Sequence, residues 1–293
     1  EFRRVLFRSV SAGSNFRNQV ISNIGSLSNT GFEAAIKWIA IDKKDWNWVL
    51  DYNFTYNYNK ITALASSNDP NFNVPTGGIS SGTGLQCQAQ HVGTAANSFY
   101  VYQQAYDKNG NPIEGVVVDR NGDGKITEAD KYYHKSPVAP ITMGFSSRFE
   151  YKNWDFGFTL RASIGNYVFN DLMAGSANLS PAAIYRNSAY MTNRPVANLK
   201  YNWQTYDETS SLSDRWVQNG SFLKCDNITL GYSFNKLFNT GDWKGLSGRI
   251  YGTASNVFTI TKYSGIDPEV FGGIDNSVYP RPISFILGLN LNF

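Results

Sequence analysis

Between Trp46 and Asn59 the chain alternates residue by residue. Trp46, Trp48, Leu50, Tyr52, Phe54, Tyr56 and Tyr58 fall on one side, while Asn47, Asp51, Asn53, Thr55, Asn57 and Asn59 fall on the other. Successive residues of a strand point to opposite faces, so this segment has one greasy face and one polar face. The C-terminal stretch repeats the pattern. Phe285, Leu287, Leu289, Leu291 and Phe293 oppose Ser284, Gly288, Asn290 and Asn292, with Ile286 the apolar exception. Soluble cores favour Leu, Ile and Val, whereas Tyr and Trp suit a boundary where the ring meets lipid and the polar tip meets water. A tilted strand of about 9–11 residues crosses a bilayer, and the 46–58 strand is long enough to project beyond it. The pattern therefore predicts an all-β fold: the wall of an antiparallel transmembrane β-barrel, with lipid outside and a hydrated lumen inside.

The remaining strands follow the same logic. Phe32, Ala34, Ile36, Trp38 and Ala40 alternate with Glu33, Ala35 and Lys37, and the polar turn Asp42 to Asp45 leads into the 46–58 strand. In a second hairpin, Ile141, Met143, Phe145, Phe149 and Tyr151 alternate with Thr142, Gly144, Ser146, Arg148 and Glu150. Lys152-Asn153 turns the chain. Trp154, Phe156, Phe158, Leu160, Ala162 and Ile164 then alternate with Asp155, Gly157, Thr159, Arg161 and Ser163. Further strands are predicted near 96–106, 113–118, 220–234, 247–260 and 282–293, a count of about nine or ten, with short turns on one side and long connections at 61–95, 119–139, 166–214 and 261–281. Short periplasmic turns and long external loops are the expected arrangement of an outer-membrane wall, and so few strands fit part of a larger barrel. Ser180-Pro181 should open a short helix within the 166–214 connection.

Composition excludes several classes. The 293 residues carry a formal charge of +3, and only 17% are charged against 15% aromatic. Residues 1–9, Glu-Phe-Arg-Arg-Val-Leu-Phe-Arg-Ser, read as a non-native adapter-like scar and are set aside, leaving 10–293 as the folding unit. Arg3, Arg4 and Arg8 against Glu1 account for most of the positive charge, so nucleic-acid binding has no electrostatic support. Cys87 and Cys225 are the only cysteines; pairing in an oxidising compartment and idle buried thiols both remain open. His91 and His134 are the only histidines, and no HExxH, GxSxG or phosphate-cradling loop is present, so no catalytic residue is assigned.

One segment carries metal chemistry. Asp119, Asn121 and Asp123 stand at positions 1, 3 and 5 of an EF-hand-like loop, with Gly124 at 6, Lys125 at 7, Ile126 at 8, Thr127 at 9 and Asp130 at 12. Ca²⁺ takes six to eight oxygens, and the expected set is the side chains of Asp119, Asn121, Asp123 and Asp130, the Lys125 carbonyl, and Thr127 through its hydroxyl or a bridging water. Asp130 reaches less far than the usual Glu, and no helix pair flanks the loop, so any Ca²⁺ would be structural. The competing expectation is a solvated Asx/Gly turn without metal. Tyr185, Tyr190, Trp203 and Tyr206 could stack on sugar faces or pack their own loop.

Several stretches resemble the C-terminal region of the SusC/RagA family of TonB-linked outer-membrane proteins. They are Asp119 to Ile126 followed by Pro137 to Asn170, Arg215 to Lys224 with Asn227 to Phe234, Asn256 to Val270, and Tyr279-Pro-Arg-Pro282 leading into the last strand, preceded by Gly25 to Glu33. The resemblance covers essentially all of 20–293. It implies a barrel of about 22 strands with a plug, energised through TonB, capped by a SusD-like lipoprotein and importing oligosaccharides or peptides across the outer membrane of a Gram-negative bacterium of the Bacteroidota. No plug, TonB box or remaining wall is visible in this sequence. The alternatives are another TonB-dependent receptor, such as one for an iron chelate, a passive porin, or a secreted calcium-stabilised adhesin.

Overall fold

A computed structural model describes residues 6–9, 19–22, 25–64, 69, 71–82, 84–186, 190–204, 207–235, 245–276 and 279–292. Seven long strands make one antiparallel sheet: β1 (Gly25–Lys43), β2 (Trp46–Leu64), β3 (Ile141–Tyr151), β4 (Trp154–Ile164), β5 (Phe222–Phe234), β6 (Ser247–Thr261) and β7 (Ser284–Asn292). Each pairs with its neighbour in sequence, so the sheet is an up-and-down meander with β1 and β7 at its edges. Among the described residues no helix is long and apolar enough to cross a membrane.

Register carries the alternation across the whole sheet. Trp38, Leu50, Ser147 and Phe158 lie opposite one another, as do Ile36, Tyr52, Phe145 and Leu160, followed on β5 to β7 by rows such as Tyr232, Ile250 and Leu289. One face is therefore apolar from edge to edge, and many of its side chains are exposed, Phe285, Leu287 and Trp38 among them. A continuous exposed apolar face of this kind needs a nonaqueous contact. Near the short turns an aromatic row, Trp46, Tyr151, Trp154 and Tyr232, runs across four strands. The Trp46 and Tyr151 rings are 4.1 Å apart and those of Trp154 and Tyr232 4.8 Å, the girdle expected at a membrane interface. On the apolar face the Trp48 indole N–H donates to Ser147 Oγ at 3.0 Å, so it needs no water.

The opposite face is charged and internally paired. Arg249 meets Asp155 through two hydrogen bonds that pass over Gly231 of the intervening β5. A Cβ at Gly231 would lie 2.3 Å from Asp155 Oδ2 and 2.5 Å from Arg249 Nη2, so glycine is what lets β4 and β6 pair across β5. Bulges modify the alternation at three places, at Thr62 in β2, near Ala40 in β1 and at Asp226 in β5. At Asp226, Lys224, Asp226 and Asn227 crowd onto the polar side, and Asn256 of β6 takes a positive φ of 54°.

The expected strands near 96–106 and 113–118 exist, but not in the wall, which has seven strands among the described residues rather than nine or ten. They form Ser98–Val101, Gln104–Tyr106 and Pro112–Val117, short strands of two smaller sheets. The connections expected at 61–95 and 119–139 are accordingly parts of one crossing from β2 to β3. This crossing and the β4–β5 and β6–β7 connections all leave the sheet on the side away from the short turns. Together they build a cap with its own core, in which Cys87, Phe99, Val101, Phe169, Leu212 and Trp216 are buried. Each large apolar side chain so buried stabilises by about 1.5–3 kcal/mol, which is why these long segments fold rather than trail. The expected short helix is Pro181–Ile184, with proline in its first turn.

Both cysteines are free and buried. Leu6–Ser9 pairs with Gln19–Ser22 in a two-stranded ribbon, and residues 1–5 of the scar-like segment lie outside the described residues.

Candidate functional site

The polar face of the wall holds a six-residue charge network where the β6–β7 connection folds back onto it. Arg161 of β4 donates from Nε to Asp226 at 2.8–2.9 Å and from both terminal nitrogens to Glu269. Lys224 of β5 donates to Asp267 at 2.7 Å and to Glu269 at 3.0 Å. Arg281 completes it, 2.8 Å from Glu269 and 3.5 Å from Asp267. Three cations thus face three carboxylates. Lys224 is 5% exposed and Asp267 6%, so neither charge could be left alone without a large desolvation cost. The Arg161 guanidinium and the Lys224 ammonium also lie over the Phe222 ring. Glu269, in the connection, is held down to about 2 by its hydrogen bonds to Arg161 and Lys224, which outweigh its partial burial.

Beside the network opens a recess of about 810 Å³, lined by Asp51, Asn53, Thr142, Ser146, Arg161 and Glu269 among others. Carboxylate, amide, hydroxyl and guanidinium groups share its lining with apolar side chains such as Leu160, Phe222 and Val270. Phe271, in the same connection, projects fully exposed at its margin.

The 119–130 loop is in the cap. Asp119 accepts from the Gly122 amide at 2.7 Å and the Gly124 amide at 2.8 Å, Asn121 Oδ1 from Asp123, and Asp123 Oδ1 from Lys125. Gly122 and Gly124 both take positive φ, as the sharp turn requires. Asp130 is fully buried. It accepts from the amides of Thr127, Arg120 and Asn121, which hold its carboxyl below the usual range, and it closes a capping box with Thr127. The loop's own N–H groups thus donate to side-chain oxygens of Asp119, Asn121, Asp123 and Asp130, which keep further lone pairs. Among the described residues no group of three or more His, Cys, Asp or Glu is placed to hold a metal ion.

The other singled-out residues divide. Trp203 is 3% exposed and packs edge-on against Trp216, so it serves the cap core rather than a cargo. Tyr185 is exposed; Tyr190 belongs to a two-residue strand, and Tyr206 lies outside the described residues. His134 Nδ1 sits 2.7 Å from the Tyr132 hydroxyl, which donates to Asp214. Burial lowers the His134 pKa and raises that of Tyr132, and the chain of contacts ties two cap segments together. His91 stacks on Tyr133.

No model of a protein family matches the chain. Among curated proteins it is 48% identical over 286 residues to the TonB-dependent receptor SusC of Bacteroides thetaiotaomicron, covering 97% of this chain and 28% of that one. The chain belongs to the SusC/RagA family of TonB-linked outer-membrane proteins. It is also 30% identical over 309 residues to the TonB-dependent receptor P3 of Formosa agariphila, 93% of this chain and 29% of that receptor. Its fold matches solved structures of the RagAB peptide importer: TM-score 0.72 in the closed-closed state at 23% identity, and 0.73 in the open-open state at 24%. Each match covers 99% of this chain and about a third of the importer chain. The chain therefore spans about 28–32% of the length of these family members.

Within the family's quoted stretches lies the signal for the charge network that sequence reading missed. Arg161, Lys224, Asp267, Glu269 and Arg281 come from four separate stretches of the resemblance, distant in sequence and joined only by the fold.

Proposed function

We propose that this chain is part of the wall and external cap of a TonB-dependent outer-membrane importer of a Bacteroidota bacterium. It works with a SusD-like lipoprotein, takes up oligosaccharides or peptides, and moves its cargo without covalent chemistry. The observation that carries this reading is the seven-strand sheet, apolar on one face and polar on the other, in a chain 48% identical to a TonB-dependent receptor. The two open sheet edges fit it, because lipid cannot satisfy unpaired backbone groups and further wall must flank them. TonB engagement and the plug belong to regions outside this sequence. Affinity purification of the complete receptor from outer membranes should bring down a lipoprotein, and uptake of a labelled glycan or peptide should collapse in a TonB-deficient strain. Uptake that persists without TonB would make it a passive porin.

The 119–130 loop belongs to the same reading as a structural Ca²⁺ site. Asp119, Asn121, Asp123 and Thr127 supply side-chain oxygens, Lys125 its carbonyl and Asp130 a buried carboxylate. Terbium luminescence of the assembled receptor should saturate, yield to added Ca²⁺ and vanish in Asp119→Ala. A signal that Asp119→Ala leaves unchanged would reduce the loop to a self-capped turn.

A further inference from the structure

Two lysines at the short-turn rim of the wall differ from the wall's other cations there. Arg148 meets Glu150, Arg249 meets Asp155, and Lys37 lies opposite Asp51, all on the polar face. Lys43 instead ends β1 opposite Trp46, which places it on the apolar face, in register with the row Trp46, Tyr151, Trp154 and Tyr232. Lys152, in the β3–β4 turn, lays its ammonium over the Tyr151 ring, 5.2 Å from the centroid, and so is drawn to the same row. Among the described residues neither lysine meets a carboxylate.

The two turns that carry them are tied together. The Lys152 amide donates to the Asp45 carbonyl at 2.8 Å, and the Trp46 ring packs on both Tyr151 and Phe149. Trp46 is exposed, and its indole N–H, unlike that of Trp48, meets no acceptor among the described residues. Lys44 adds a third cation in the β1–β2 turn, where Asp45 is the one acid; Asp42 lies opposite Asn47 on the polar face. The rim is thus positive where it borders the apolar face.

An aromatic girdle marks the level at which headgroups begin, and a lysine there lays its stem on apolar surface while its ammonium reaches the polar layer. Two ammonium groups and an indole N–H can only donate, so their complement is an anion. One row deeper, Ile41, Trp48, Phe149 and Phe156 lie opposite one another across four strands, a surface for hydrocarbon. An anion joined to hydrocarbon is a lipid.

The geometry points to a phospholipid site on the outer surface of the wall. Lys43, Trp46 and Lys152 hold the headgroup phosphate, and the acyl chains lie on the Ile41 to Phe156 row. Lys43 and Tyr151 are two strands apart, about 10 Å, a span that two flexible lysine stems close onto one phosphate. A lipid with net negative charge is preferred, because a zwitterionic headgroup brings its own cation to a positive rim. The inference rests on the lipid-facing reading of the apolar face, which assembly of a Leu50→Arg receptor tests separately.

The test is native mass spectrometry of the complete receptor, released from detergent micelles that hold phosphatidylglycerol and phosphatidylcholine of the same acyl chains in equal amounts. Phosphatidylglycerol should be retained about tenfold better. Lys43→Gln and Lys152→Gln should each cut that preference by about fivefold, the share expected of one lysine near an anionic surface, and the double variant should abolish it. Trp46→Phe should keep the preference but retain less of both lipids, having lost its N–H. Lys60→Gln, at the far end of β2 opposite Ser28, should change nothing. Equal retention of the two lipids, a preference that survives in the assembled double variant, or an equal loss in Lys60→Gln would each overturn the proposal. Heat-modifiable mobility confirms that every variant compared has assembled, so these results bear on the site and not on the wall.

Discussion

Leu50→Arg should prevent assembly into the outer membrane. Leu50 lies near the middle of the stretch of β2 that pairs with β3, from Trp46 to Tyr56, on the apolar face, opposite Trp38 on one side and Ser147 on the other. The aromatic row of Trp46 and Tyr151 is two side chains nearer the short turns, and Tyr56, opposite Ile141, marks the other end. An arginine at that depth costs about 2–4 kcal/mol in a barrel wall, falling toward zero at the interfaces. Trp46→Arg should therefore be milder, and Phe156→Arg, opposite Phe149 one row from Leu50, should fall between. Ser146→Arg is the informative contrast. It sits at the same depth but on the polar face, opposite Asp51, where a cation finds both water and a carboxylate. Heat-modifiable mobility of outer-membrane fractions reads assembly directly. Equal assembly of the Leu50→Arg and Ser146→Arg proteins would mean that the apolar face does not meet lipid.

Removing the Lys224 ammonium should release the β6–β7 connection from the wall. Lys224→Met leaves Asp267 buried with only Arg281, 3.5 Å away, and takes one of three cations from Glu269. Breaking one side of a buried pair costs about 3–5 kcal/mol, and the surviving arginines place this case at the lower end. The expected signature is new protease cleavage within 262–283 in receptor that still assembles. Lys224→Met combined with Asp267→Leu should recover much of the protection, because no buried charge is then left unmatched. Acid acts on the same device. Glu269 titrates at about 2 in the folded protein against an ordinary value of 4.5, so its contribution is complete above pH 4.5 and is lost as pH falls toward 2. Protection of 262–283 that ignores both the substitution and acid would show that the connection is held by other contacts.

The wall was legible because its information is local. Trp46 to Tyr58 alternate so regularly that one strand implies its own faces, and the Lys152-Asn153 turn fixes the register of β3 against β4 with no further knowledge. Legibility failed where local patterns carry two meanings. Residues 96–106 and 113–118 have strand composition, yet their partners are other cap segments, so they pack Phe99, Val101 and Val117 into a separate core. Trp203 shows the same ambiguity: an aromatic in a long connection reads as a cargo platform until Trp216 is found against it. The 119–130 loop kept its turn geometry as read, while the partners of Asp130 came from the fold of the loop itself.

From the sequence alone follow the fold class, the direction in which each wall strand faces, the side on which the long connections lie and the family. All of these rest on period-two alternation, turn residues and short motifs, which act over a few residues and need no distant partner. Only the tertiary structure decides that the connections form one core, that two buried thiols stay apart, and that Arg161, Lys224 and Arg281 meet Asp226, Asp267 and Glu269. Those contacts join residues up to 108 positions apart, from Arg161 to Glu269. Coulomb attraction and burial depend on distance in space, and distance in space is set by how the strands are threaded, which no local pattern records.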